Sequence, residues 1–245
     1  LRFHAIYWPA FLLAADVEPP TRIFSHGWIL SGEKKMSKSR GNILNPLEII
    51  KTYGIDELRY YLMKEVPHGS DGSISLKNLE NCINSDLANN YGNLCQRVFS
   101  FIKNNCGNKV SKRKNISDSD KKLMEQTKKL TKDLRNEMDK QNLNNYIKSV
   151  INISFLTNKY INDEEPWKLK KNNTEKMNNI LHIALEQIVK ISILLNPIIP
   201  EKSSKVLDAL NINTKLRNLA FLDGKNVIDD EIKIKKLDIL FKKTT

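Results

Sequence analysis

The sequence predicts an α/β segment followed by an all-α helical bundle, and three observations carry that prediction. Short apolar runs separated by Pro and Gly occupy residues 1–75, apolar residues at intervals of three and four occupy most of 76–245, and no internal repeat is visible. The boundary between the two regions is read at about residue 75.

The elements follow in order. Phe11 to Ala15 and Trp28 to Leu30 are the short apolar runs of the α/β segment. Asn45-Pro46-Leu47-Glu48 is a helix start: a cap, a proline at the first helical position and an acid in the first turn, with Gly54 as the stop. Asp56 is expected to cap the next helix, in which Leu58, Tyr61, Leu62 and Glu65 keep helical spacing. In the second region Leu87, Tyr91, Leu94, Val98, Phe101 and Ile102 form one helical stripe. Ile147, Val150, Ile151, Ser154 and Phe155 form another, and Ile180, Ile183, Ala184, Ile188 and Ile191 a third. Breaks fall at Cys106 to Lys114, at Asp163 to Pro166 and at Asn196 to Pro200. Beyond them Ile232, Ile234 and Leu237 mark a basic tail, strand or helix, that packs back on the body.

Composition narrows the function classes. The 245 residues carry a formal net charge of +12, yet 40% are hydrophobic, too many for a disordered basic tail. Residues 1–108 hold 12 Lys and Arg against 10 acids, and the rest hold 28 against 18. The basic surface therefore belongs to the second region, where abundant Lys, Asn and Ile are also what AT-rich coding produces. Apolar runs such as Ile151 to Leu156 stop far short of the ~20 residues of a membrane span, so none is expected. Cys82, Cys95 and Cys106 make neither a zinc pair nor a disulfide framework and fit a reducing cytoplasm, with no metal site. The chain starts at Leu1 without a signal sequence and reads as a piece of something longer.

The stretch Gly32 to Asn42 is the most informative. Glycines at both ends allow turns, and four cations, Lys34, Lys35, Lys38 and Arg40, crowd into seven positions. Such a loop can stabilise charge developing on a phosphate leaving group, although charge pattern alone favours a solvated basic hairpin. The string Lys35-Met36-Ser37-Lys38-Ser39 resembles the KMSKS signature of class I aminoacyl-tRNA synthetases. His26-Gly27-Trp28 upstream, Gly41-Asn42 directly after, and Asp56 to Tyr61 opening the next helix agree with that family. Phe3 to Ala10 is similar to the segment lining the amino-acid pocket of methionyl-tRNA synthetases, and the whole chain resembles the C-terminal half of that family.

The resemblance implies the end of a Rossmann-type class I catalytic domain followed by a helical anticodon-binding domain. It makes Lys35 and Lys38 catalytic, and gives ATP binding to Lys35, Met36, Ser37, Lys38 and Ser39 with His26 and Gly27. His4 and Trp8 would line the methionine pocket, where aromatic rings suit a thioether. Neither a HIGH-type sequence nor a zinc knuckle is present, since both lie upstream in the family, so the piece alone is expected to lack activity and zinc. ATP with Mg2+, L-methionine, tRNA(Met) and the other half of the catalytic domain are the implied ligands and partners. A monomer is expected.

Asn93 and Arg97 stand one helical turn apart, and Trp167 follows a Glu-Pro pair at a helix start. An amide, a guanidinium and an exposed indole can read and stack unpaired bases; the same residues also suit a solvated helix face and a staple that packs a loop. In order and type they resemble the anticodon-reading set of methionyl-tRNA synthetases. The competing readings are a sister class I enzyme for isoleucine, valine, leucine or cysteine, and a non-catalytic tRNA-binding module. Phe3 to Ala10 and the Asn93, Arg97, Trp167 set argue against the first, and the signature loop argues against the second.

Overall fold

A π-helical turn, Phe3–Tyr7, runs into helix α1, Trp8–Ala14, and no side chain in either is buried. Phe3, Ile6, Trp8, Phe11 and Leu13 face outward instead of into a core. The computed structural model describes residues 2–31, 44–222, 228 and 231–244, with the backbone of Lys34 and Lys35.

A three-stranded sheet follows, in the order β2-β1-β3, from β1 (Ile29–Ser31), β2 (Lys34–Lys35) and β3 (Gly72–Ile74). β1 pairs antiparallel with β2, Leu30 opposite Lys35, and parallel with β3, Ile29 opposite Gly72. The parallel pair is bridged by helices α2 (Pro46–Tyr53) and α3 (Ile55–Glu65), an α/β crossover as the sequence predicts. Asn45 Oδ1 accepts from the Leu47 amide, Pro46 sits at the first position, and Gly54 ends α2 at φ 113°.

Asp56 departs from its expected role. Gly54 is the N-cap of α3, while Asp56 lies buried in the first turn and its Oδ2 accepts from the Lys202 amide at 2.7 Å. The carboxylate thus caps a different helix, α11 (Pro200–Ala209). A buried acid needs a donor, and the nearest orphan amides belonged to a neighbour 146 residues away in sequence.

Ser75 caps α4 (Leu76–Cys82), which continues through a π-helical segment, Ile83–Gly92, into α5 (Asn93–Asn105). The chain goes on through β4 (Lys109–Val110), α6 (Asp118–Thr131), α7 (Leu134–Asp139), α8 (Leu143–Glu164), α9 (Pro166–Leu169) and α10 (Thr174–Leu195). After α11 come α12 (Leu219–Leu222) and β5 (Ile232–Lys233). The tail packs back as expected: β5 pairs antiparallel with β4, and Ile234, Leu240 and Phe241 are buried.

α10 is the axis of the bundle, with α8, α5, α9 and α11 packed around it. It is long and apolar enough by length and composition to cross a membrane, although His182, Glu186, Gln187 and Lys190 interrupt its apolar runs. Here it is a core helix. Three of its polar side chains hold the chain that crosses it: Arg113 donates to Glu186 at 2.8 Å, Asn179 accepts from the Lys114 amide, and the His182 ring nitrogens lie 3.2 and 2.9 Å from the Ser111 and Ile228 carbonyl oxygens.

The two regions are joined by polar bonds around a shared apolar core. Arg59 donates to the carbonyl oxygens of Pro197 and Ile198, Tyr60 donates to Asp86 at 2.8 Å, and Lys64 pairs with Asp86 at 2.9 Å. Burial opposes the Lys64 charge, but its bonds to Asp86 and Glu65 prevail and hold its pKa above the usual range. Burial pushes the Cys82 thiol up to about 12 and Cys95 higher still, so both are inert core thiols, free like Cys106.

Candidate functional site

Helix α8 ends at Glu164, and Glu165 adopts a left-handed backbone, φ 44°, that swings the chain into α9. Pro166 occupies the first position of α9 and is buried, which leaves Trp167 at the surface, 43% exposed. Lys168 spans the turn to Glu165 at 2.8 Å. Glu164 bonds to Ser119 and to Lys176, and although burial opposes it these donors hold its carboxyl below the usual range.

Facing this turn, α5 starts with Asn93 and carries Arg97 one turn later, both half-buried. Leu94, Cys95, Val98 and Phe99 point into the core. The Arg97 guanidinium carbon stands 5.9 Å from the centre of the Trp167 ring, within cation–π range, and Nη2 donates to Asn162 Oδ1 at 2.7 Å. Two side chains 70 positions apart are thereby brought to one surface. Arg97 retains further donors, Asn93 offers an amide beside it, and the indole presents a flat face, a set fit to hydrogen-bond and stack an unpaired base.

Asn162 carries no sequence signal of its own. In an Asn-rich chain nothing marks one asparagine at the end of a helix, and its partner Arg97 lies 65 positions away. The next turn of the same seam is also amide-built: Asn158 Nδ2 donates to Asn90 Oδ1 at 3.0 Å and to the Asn90 carbonyl oxygen at 3.2 Å.

The other predicted residues lie in the α/β region. Lys35 is in β2 opposite Leu30, at the start of the signature loop; Met36, Ser37, Lys38 and Ser39 lie outside the described residues. His26 is exposed, with Nδ1 2.8 Å from the Gly27 carbonyl oxygen. Gly27 has a packing role: a Cβ there would lie 2.2 Å from the Ser70 carbonyl, so only glycine admits this approach. The approach is secured by the Trp28 amide on Asp71 Oδ1 at 2.7 Å and the Gly72 amide on the Trp28 carbonyl oxygen at 2.9 Å. His4 and Trp8, one turn apart, are both exposed, Trp8 by 45%.

Comparison with known proteins agrees with both halves. The family model described as tRNA synthetases class I (M) matches residues 1–99, and the anticodon binding domain of methionyl tRNA ligase matches residues 110–245. The methionine–tRNA ligase of Brucella suis biovar 1 (strain 1330) is 40% identical over 219 residues, covering 89% of this chain and 42% of its own length. That of Rickettsia felis is 38% identical over 242 residues, 95% of this chain and 47% of the relative. Among solved structures, Mycobacterium tuberculosis methionyl-tRNA synthetase bound by methionyl-adenylate superposes with a TM-score of 0.89 at 34% identity, covering 98% of this chain and 48% of that one. Its apo form gives 0.88 at 30% identity. The chain spans somewhat under half the length of the curated relatives it matches.

Proposed function

We infer, from the premise that this chain belongs to the methionyl-tRNA synthetase family, that it is the tRNA-reading part of a methionine–tRNA ligase. Such an enzyme activates L-methionine with ATP to methionyl-adenylate, releases pyrophosphate and transfers the methionyl group to tRNA(Met). In this reading Asn93 and Arg97 hydrogen-bond the anticodon, Trp167 stacks on it, and bundle lysines hold the RNA backbone without regard to sequence. The observation that carries it is the Arg97 guanidinium set over the exposed Trp167 ring beside Asn93. An isolated solvated helix face has no reason to meet an unburied indole from another element.

The α/β region, residues 1–75 in this division, would supply the phosphate-binding half of the chemistry. Lys35 and Lys38 would neutralise charge on the ATP phosphates, Met36, Ser37 and Ser39 would shape the loop, and His26 and Gly27 would border the nucleotide. His4 and Trp8 would form one wall of the methionine pocket, and the opposite wall would come from the remainder of the catalytic domain. Mg2+ fits as an ion carried in on the ATP phosphates, since the loop offers phosphate-binding cations and, among the described residues, no cluster of three or more metal-ligating side chains occurs. A monomer working in the cytoplasm is the simplest setting.

Binding of tRNA(Met) and of the same tRNA with an altered anticodon, measured at near-physiological salt, tests the reading. The expected result is a clear preference for the CAU anticodon that Trp167→Ala weakens by about five- to 150-fold, the value of ~1–3 kcal/mol for one stacked base. Equal binding of both, falling steeply with salt, would reduce the surface to a cationic one.

A further inference from the structure

We propose that the C-terminal tail is a clasp that sets the rotation of α5, and that Phe241 is the positioning residue through which it acts on anticodon reading. The proposal rests on the role given above to Asn93, Arg97 and Trp167.

α4, the π segment and α5 form one helical rod from Leu76 to Asn105, with helical backbone at each internal junction. A ladder of i→i+5 bonds turns less per residue than an i→i+4 ladder. Ten residues of it give Asn93 and Arg97 a different orientation about the rod axis from the one a continuous α-helix would give. π-helical stretches this long are rare and marginal by themselves, so this one needs support from outside.

The tail gives that support at both ends of the segment. Near its start, Asn84 and Thr244 exchange two bonds: Asn84 Nδ2 donates to the Thr244 carbonyl oxygen at 3.0 Å, and the Thr244 amide donates to Asn84 Oδ1 at 2.9 Å. At its end, Phe241 lies against Gly92, where a Cβ would come 3.0 Å from the Phe241 ring and 2.8 Å from the Leu87 carbonyl oxygen. That carbonyl belongs to the residue five positions back, so Gly92 accommodates the wide turn and the ring together. The Phe241 and Tyr91 rings are 6.3 Å apart, and Tyr91 is tied to Ser192 of α10 at 2.7 Å. The ring therefore sits one residue ahead of Asn93.

Lys202 holds the tail in place. Its Nζ donates to the Leu240 carbonyl oxygen at 2.7 Å, stands 5.5 Å from the Phe241 ring centre and lies 3.5 Å from Glu57 Oε1 of α3. Shifting the rod would break the seam with α8, where Asn90 meets Asn158 and Arg97 meets Asn162 one turn further along. The seam registers the rotation that the clasp imposes.

The test is the ratio of affinities for tRNA(Met) and its altered-anticodon form, measured for wild type, Phe241→Ala, Phe241→Leu, Trp167→Ala and a core control, Leu123→Ala. Phe241→Ala is expected to lower the ratio about two- to thirtyfold, the range of indirect coupling, and Phe241→Leu to restore part of it. Leu123→Ala should lower the melting temperature and leave the ratio alone, which separates positioning from general stability. A Phe241→Ala ratio equal to wild type, with Trp167→Ala still lowering it, overturns the clasp and leaves the anticodon site standing. A wild-type protein without preference overturns both. Should Phe241→Ala fail to fold, Phe241→Leu carries a second measurement without RNA. Amide hydrogen exchange over Leu94 to Val98 should quicken relative to α10, and unchanged protection there overturns the clasp.

Discussion

The helix that opens the α/β region and the central helix of the bundle treat apolar surface in opposite ways. In the bundle α10 buries nearly every side chain from Met177 to Leu195, and Asn179, His182 and Glu186 fasten the crossing chain. In the α/β region residues 3–14 bury none, and Phe3, Phe11 and Trp8 are exposed. The difference teaches that apolar sequence alone does not make core: α10 is enclosed by neighbouring helices on all sides, while the opening helix has no element among the described residues packed over its apolar side chains. Burial, worth roughly 25 cal/mol per Å² of apolar surface, stabilises α10 and is absent from α1.

That contrast can be broken by paired truncations. Ile188→Ala, in the centre of α10, should cost about 2–5 kcal/mol in urea unfolding, because it opens a cavity among fixed neighbours. A loss under about 1 kcal/mol would mean that the bundle is loosely packed there.

The junction between the regions should be less sensitive. Ser75 caps α4 by accepting from the Asn78 amide at 3.1 Å, and Ser75→Ala should lower stability by about 1 kcal/mol. Replacement by Asp should retain it, since the cap needs an acceptor and not a hydroxyl.

A smaller effect sharpens the role of the buried acids in α3. Burial raises the pKa of both Asp56 and Glu57, with Lys202 opposing it in each. A carboxyl raised in the folded state adds stability below its unfolded pKa, near 4, and this is lost as pH rises through the folded value. Stability of the wild type should therefore gain less between pH 4 and 7 than that of Glu57→Gln, as followed by thermal melts across that window. Parallel curves would show that Glu57 titrates alike in both states. The smallest effect belongs to the exposed helix: Phe11→Ser should move stability by no more than about 0.5 kcal/mol. A large loss would mean that α1 packs in solution and the contrast is false.

Much of the candidate site was legible because its placement rests on local chemistry. Asn93 and Arg97 share a face by helical spacing alone, and the Glu-Pro-Trp run marks a helix start with its third residue outward. The cap at Asn45 and the stop at Gly54 are properties of single residues, and they appear where the sequence puts them. Asn162 could not be found this way, nor could the acceptor role of Asp56, since each depends on a partner far along the chain. The π segment was hidden as well, because Leu87, Tyr91 and Leu94 keep intervals of four and three that an α-helix satisfies equally.

The sequence by itself determined the order of regions, most of the apolar stripes that become the core, with Phe155 left exposed, and the residue types of the candidate site, since propensity, capping and periodicity act within a few positions. Only the tertiary structure decided that Arg97 meets Trp167, that Asp56 caps α11, and that the tail returns to Gly92. Those outcomes are pairings, and a pairing is chosen by which buried donors, acceptors and apolar faces are left unsatisfied once every helix has formed.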